Sequence, residues 1–203
     1  MIALARRDKL ALISLAAATA LAWAVLLRSG HAMGFVPFLG GWTLMMTAMM
    51  LPSITPLVLL LHRSNRFALA SGYLTVWAVT GLLPWAAMQL SFQPSPAIVL
   101  ALAGVYELTP VKQACLRKCH NAASFLMERY RSGPFRLGME HGLWCIGCCA
   151  GLMVVLVLAA SMNLVWAAGI AVVVFLQKML PWPKASAFVT GAALLVMALV
   201  SFL

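Results

Sequence analysis

The feature that most constrains this chain is the recurrence of apolar runs of about 20 residues, the length a helix needs at a rise of about 1.5 Å per residue to cross a hydrocarbon layer about 30 Å thick. Such runs lie near 10–27, 41–61, 68–90, 97–111, 141–160, 163–177 and 185–203. Charged residues make up only 9% of the chain and hydrophobic ones 64%, a balance that excludes a water-soluble domain. Lipid offers no water to the backbone, so each run is expected to be helical, and the alternating pattern of a β-barrel is absent. The sequence therefore predicts an all-α, polytopic transmembrane helix bundle of seven spans. Six is the alternative count, because 97–111 and 163–177 are short.

Proline punctuation supports tight turns at Pro94-Ser95-Pro96 and at Pro181-Trp182-Pro183. The one long polar connection runs from Lys112 to Met139. We expect a single transmembrane domain over 1–203, with 112–139 as a basic cytoplasmic loop and no internal repeat. The apolar run after Arg6, Arg7 and Lys9 is longer than a usual signal core and ends without a small-x-small cleavage site, so it is expected to be a retained span.

The basic residues fix an orientation. With seven spans, thirteen of the fourteen Lys and Arg fall on one side: Arg6, Arg7, Lys9, Arg63, Arg66, Lys112, Arg117, Lys118, Arg129, Arg131, Arg136, Lys178 and Lys184. Only Arg28 lies opposite. The positive-inside rule then puts the N-terminus in the cytoplasm and the C-terminus outside. A net charge of +10 would suggest nucleic acid in a soluble protein. Here anionic headgroups of the bilayer account for it, and no nucleic-acid partner is expected.

Sulfur carries the chemical signal. Cys115 and Cys119 lie in the polar connection with His120 beside the second, and Cys145, Cys148 and Cys149 begin the fifth run. All five fall toward the reducing side, where thiols stay free as ligands or redox groups. Cys115 and Cys119, His141 and Cys145, and Cys145 and Cys149 are each four apart, and Cys148 is seven after His141, so each set shares one helix face. Glycines at 142, 147 and 151 would let a second helix approach and complete a site. A buried thiol is also an ordinary small hydrophobe, and a single Cys-x-x-Cys lacks the second pair that marks a structural zinc site.

The second run contains Met45, Met46, Met49 and Met50, two thioether pairs at four-residue spacing. Thioethers suit Cu(I) and suit Zn, Mg or Ca poorly, although methionine is equally a flexible packing residue. Pro52 and Pro56 break the same helix just beyond them. Glu107 is the one carboxylate well inside an apolar run. Such a group is functional by default, or else it reaches the headgroups or pairs with Lys112. The candidate metal ligands are thus Cys145, Cys148, Cys149, His141, Cys115, Cys119, His120, Met49, Met50, Met45, Met46 and Glu107.

Three ordered motifs, TLMMTAMMLPSITP at Thr43 to Pro56, YELTPVKQACLRKCH at Tyr106 to His120 and GMEHGLWCIGCCAG at Gly138 to Gly151, make the chain resemble the bacterial DUF2182 family of predicted metal-binding integral membrane proteins over about residues 40–180. The resemblance implies a multi-pass protein of the bacterial cytoplasmic (inner) membrane. It matches the family pattern at Met49, Met50, Pro52, Cys115, Cys119, Cys145, Cys148 and Cys149, and it departs at Glu107, where glutamine is the commoner residue.

Mixed thiolate, thioether and imidazole donors select soft metals, so the leading expectation is binding of copper as Cu(I), or another soft metal, for transport, delivery or insertion. A metallochaperone or a larger membrane complex would be its partner, because no P-type ATPase or other energy-coupling domain is present. A non-enzymatic role is favoured. The enzymatic alternative is a membrane thiol oxidoreductase using Cys145 and Cys148, and the third reading is an accessory subunit with merely buried sulfur. No haem-attachment motif is present. For the orientation, an export-active reporter is expected to work at Leu203 and a cytoplasm-active one near Ser132. The reverse at either position sinks both orientation and span count.

Overall fold

The computed structural model describes residues 6–28, 34–89, 94–129 and 133–202, and these are helical with no strand among them. The helices are α1 (Arg6–Arg28), α2 (Phe35–Met50), α3 (Thr55–Leu60), α4 (Arg63–Thr80), α5 (Leu82–Gln89), α6 (Pro96–Leu108), α7 (Pro110–His120), α8 (Ala122–Arg129), α9 (Pro134–Val154), α10 (Leu164–Met179) and α11 (Pro183–Phe202). Five stretches are long and apolar enough to cross a membrane: Asp8–Arg28, Phe35–Leu60, Arg63–Gln89, Pro134–Ala159 and Pro183–Phe202. Pro96–Leu108 and Leu164–Met179 are apolar but shorter. These seven correspond to the seven runs in the sequence. Arg131 lies outside the described residues.

Prolines set the boundaries. Pro96, Pro110, Pro134 and Pro183 each open a helix, where a missing N–H costs nothing. Pro52 and Pro56 replace one turn of helix with a 3₁₀ turn at Leu51–Ile54. The Pro52 carbonyl that Pro56 frees accepts from Thr55 Oγ1 at 2.8 Å, and in the same turn Ser53 Oγ donates to Met50 O at 2.7 Å.

The stretch expected to be a loop over 112–139 is largely helical. Thr109 accepts from the Lys112 N–H as N-cap, Pro110 follows at the first helical position, and α7 then buries Lys112, Cys115, Leu116 and Cys119 along one face. α8 buries Ala122 and Phe125. The polar residues misled because an amphipathic helix hides only one side.

The chain forms two compact units. The first takes Met1–Leu82 and Ala122–Gly142. Within it α1 packs on α2 and α2 on α4, where Trp42 Nε1 donates to Trp77 O at 2.9 Å. Arg66 bonds Asp8 of α1 at 2.8 Å, and its Nε donates to Leu61 O at 3.0 Å just past the end of α3.

The second unit takes Leu83–Asn121 and Leu143–Leu203. α6 lies along α11, close enough that a Cβ on Gly104 would sit 3.0 Å from Gly191 O, so only small residues fit this crossing. A fully buried ion pair ties four helices of this unit together. Lys112 Nζ of α7 donates to Glu107 Oε1 of α6 at 2.6 Å and to Gln177 Oε1 of α10 at 2.9 Å. Gln177 Nε2 donates to Glu107 Oε2 at 2.9 Å and to Thr190 Oγ1 of α11 at 3.1 Å. Removing one member of such a network leaves an uncompensated buried charge. Lys112→Met is expected to destabilise the protein by about 3–5 kcal/mol, and Lys112→Met with Glu107→Met by less than that single change. Denaturant titration in detergent reads both. A silent Lys112→Met would show that the pair does not hold the unit.

Candidate metal centre

α9 carries the densest sulfur. Cys145, Cys148 and Cys149 are buried, and their Sγ atoms all lie within 4.8 Å of one another. Cys148 Sγ is 3.5 Å from Cys149 Sγ, and Cys145 Sγ is 4.0 Å from Cys149 Sγ. Adjacent helical positions project about 100° apart, but the i, i+3 and i+4 members fall within one sector, and this gathers the three.

A fourth thiol comes from α7. Cys148 Sγ donates to Cys119 Sγ at 3.6 Å. The approach of α7 to α9 depends on Gly147, where a Cβ would stand 2.6 Å from Cys115 Sγ. The glycines singled out from sequence all receive neighbours: Gly142 meets Val76 in the first unit, while Gly147 meets Cys115 and Gly151 meets Tyr106 in the second. Tyr106 OH donates to Gly147 O.

The second unit also supplies a cation. Lys178, in the last turn of α10, is buried and its Nζ donates to Cys145 Sγ at 2.8 Å. A cation at this distance offsets negative charge on the sulfur that burial alone would penalise. The Lys178 carbonyl accepts from His120 Nδ1 at 2.8 Å, which fastens the end of α7 to the end of α10. Hydrogen bonding to the Cys145 sulfur, and then burial, push the Cys119 thiol well above its ordinary pKa, so it holds its proton at neutral pH. Burial also raises the Cys115 thiol, with the nearby Lys112 acting against it.

The other sequence candidates are divided between the two units. Met45, Met46, Met49 and Met50 are buried on α2 in the first unit. His141 is buried there too, its ring 5.9 Å from that of Tyr73 and 5.2 Å from that of Phe125. Cys115 packs against Gly147 beside the cluster. Both Glu107 oxygens are engaged by Lys112 and Gln177, so of the two alternatives to a functional carboxylate, pairing with Lys112 is the one observed. Lys178 and Gln177 were missed, since a Gln-Lys pair closing an apolar run reads as an interfacial end. The expectation that the cysteines begin their helix is corrected as well: α9 starts at Pro134, so Cys145 lies in its interior. Proline at the first position and the apolar Phe135, Leu137 and Met139 extend the helix ahead of the membrane-length run. The helix N-terminus therefore cannot lower the Cys145 pKa, because its field fades within the first turn.

The family model PpoB2, described as copper chaperone, matches residues 39–201. This chain belongs to that family. No curated protein and no solved structure matches it. The match spans α2 to α11 and includes all five cysteines and His120. Membership of the PpoB2 family and the buried three-thiol cluster both point to copper binding. The donor set fits: thiols bridged by one ion with metal–sulfur bonds of about 2.3 Å stand about 3.8–4.0 Å apart in tetrahedral or trigonal geometry. Cys148–Cys149 at 3.5 Å, Cys148–Cys119 at 3.6 Å and Cys145–Cys149 at 4.0 Å lie close to that range, and the three α9 sulfurs are all within 4.8 Å of one another.

Gly147→Val places a branched side chain where Cys115 Sγ packs, and overpacking of this kind costs about 1–3 kcal/mol. The unfolding midpoint and the copper stoichiometry should both drop. A variant with unchanged midpoint and full copper would show that the α7–α9 approach is not needed for the cluster.

Proposed function

We propose that this PpoB2-family chain is a multi-pass protein of the bacterial inner membrane that binds Cu(I) as cargo on Cys145, Cys148, Cys149 and Cys119 and delivers it to a partner protein. The observation that carries the reading is the buried three-thiol cluster of α9, its Sγ atoms all within 4.8 Å of one another, with Cys119 of α7 3.6 Å from Cys148. A site held within the protein, in a family described as copper chaperone, suits carriage and hand-over better than pumping. Seven spans with a cytoplasmic N-terminus are supported by the seven apolar helices and the one-sided basic residues. On that orientation the ends of α7 and α10 face the cytoplasm, where a metallochaperone or an acceptor would meet them.

The methionines of α2 belong to the first unit, and their role in this reading is to pack. The oxidoreductase alternative loses its helix-N-terminus argument, because Cys145 lies inside α9.

Copper uptake must expel protons from the thiols it takes, the Cys119 proton among them. The sign follows directly: lowering the pH below the raised Cys119 pKa favours the protonated, metal-free form. The Cu(I) dissociation constant should weaken about tenfold per pH unit for each proton released. Chelator competition over a pH series reads the slope. Copper-edge X-ray absorption on the loaded protein should show sulfur at about 2.3 Å, lost when Cys145, Cys148 and Cys149 are all replaced by Ser. A shell of nitrogen and oxygen only, or a protein that takes up no stoichiometric copper, overturns the proposal.

A further inference from the structure

The thiol cluster is buried, so an ion must enter and leave it by exchange through a ligand closer to water. Cys145, Cys148 and Cys149 are each no more than 1% exposed and Cys119 is 6% exposed. His120 is the last residue of α7, half-buried, and next in sequence to Cys119. Its Nδ1 faces the Lys178 carbonyl at 2.8 Å. A carbonyl oxygen only accepts, so Nδ1 carries the proton, and in the neutral ring Nε2 is left with its lone pair. A backbone carbonyl on the far nitrogen is the arrangement that orients metal-binding imidazoles and fixes their tautomer. The same Lys178 that holds the ring by its carbonyl touches Cys145 by its ammonium. The ring is thus anchored to the residue whose ammonium contacts Cys145.

Resting on the copper reading above, we infer that His120 Nε2 is the transfer ligand through which Cu(I) passes between the half-exposed end of α7 and the buried thiols, with Cys119 as the first sulfur to receive it. The exchange leaves copper as Cu(I) throughout. A Cu–Nε2 bond forms as a bond to the donor's ligand breaks. A Cu–S bond to Cys119 then forms as the Cu–N bond breaks, and the thiol proton leaves to water at the half-exposed edge. Release runs the same steps backwards. A neutral imidazole suits this role because it binds Cu(I) yet competes weakly with thiolate, so it passes the ion on instead of retaining it.

The test separates rate from equilibrium. Full-length apo-protein in detergent is mixed anaerobically with Cu(I)–bicinchoninate, and the loss of chelator colour is followed by stopped flow. His120→Asn keeps an N–H for the Lys178 carbonyl but offers no ring nitrogen, and so it guards against a folding defect in His120→Ala. Uptake by His120→Asn should slow by about tenfold or more, the scale on which changes around a metal-binding imidazole act. Final copper stoichiometry and dissociation constant should stay at wild-type values. Uptake at the wild-type rate overturns the inference. So does loss of bound copper at equilibrium, which would make His120 a resident ligand. If the wild-type protein itself binds no copper, the proposed function fails, and this inference fails with it.

Discussion

A lysine ammonium and a glutamate carboxylate with no water around them must be paired on every side, and the arrangement of the second unit depends on this requirement. The Lys112–Glu107 pair is too costly to bury unless further hydrogen bonds complete it. Gln177 supplies them by bonding both partners at once, at 2.9 Å to each. Three residues from α6, α7 and α10 therefore have one mutually satisfactory arrangement, and Thr190 adds α11. The residue after Gln177 is Lys178, and α7 continues from Lys112 to Cys119 and His120. The ion pair thus sets the register of the two helix ends that reach the thiols.

The cluster applies the same electrostatic logic to a different end. Four thiols in a dry setting could not all ionise, and a single ammonium from Lys178 balances only part of the charge. An incoming monovalent cation supplies more of that balance. The proposed cargo role would require stability with and without the ion, which a rigid structural site need not have. The single Cys148 thiol proton has two acceptors within reach, Cys145 O at 3.2 Å and Cys119 Sγ at 3.6 Å, and either bond keeps the sulfurs converged.

Much of this was legible in the residues. The seven apolar runs appear as helices because their length and the proline positions leave little choice. The three thiols of α9 share a sector because that relation is internal to one helix. Cys119 was a candidate among several of similar standing, and it is set apart from Cys115 only by how α7 lies on α9 at Gly147. His141 keeps its four-residue relation to Cys145 along the helix, and its ring also lies against Tyr73 and Phe125, which no spacing rule reveals. The 112–139 connection was read as loop because its charges are conspicuous, whereas its buried face is short and interrupted by Asn121.

By itself the sequence determined that the chain is helical, roughly where its long apolar helices lie, and that soft ligands are concentrated on α2, α7 and α9. Those properties follow from the 3.6-residue period, from proline's missing N–H and from side-chain chemistry, all of which act within a few residues. Tertiary structure alone decided which polar groups are buried and whom they meet. Lys178 could as well have reached water from the end of α10, and Gln177 could have faced lipid headgroups. Their partners lie 33 residues away at Cys145, 65 at Lys112 and 70 at Glu107. A local period carries no information over such separations. Close crossings at small residues, and the cost of leaving a buried charge unpaired, fixed them instead.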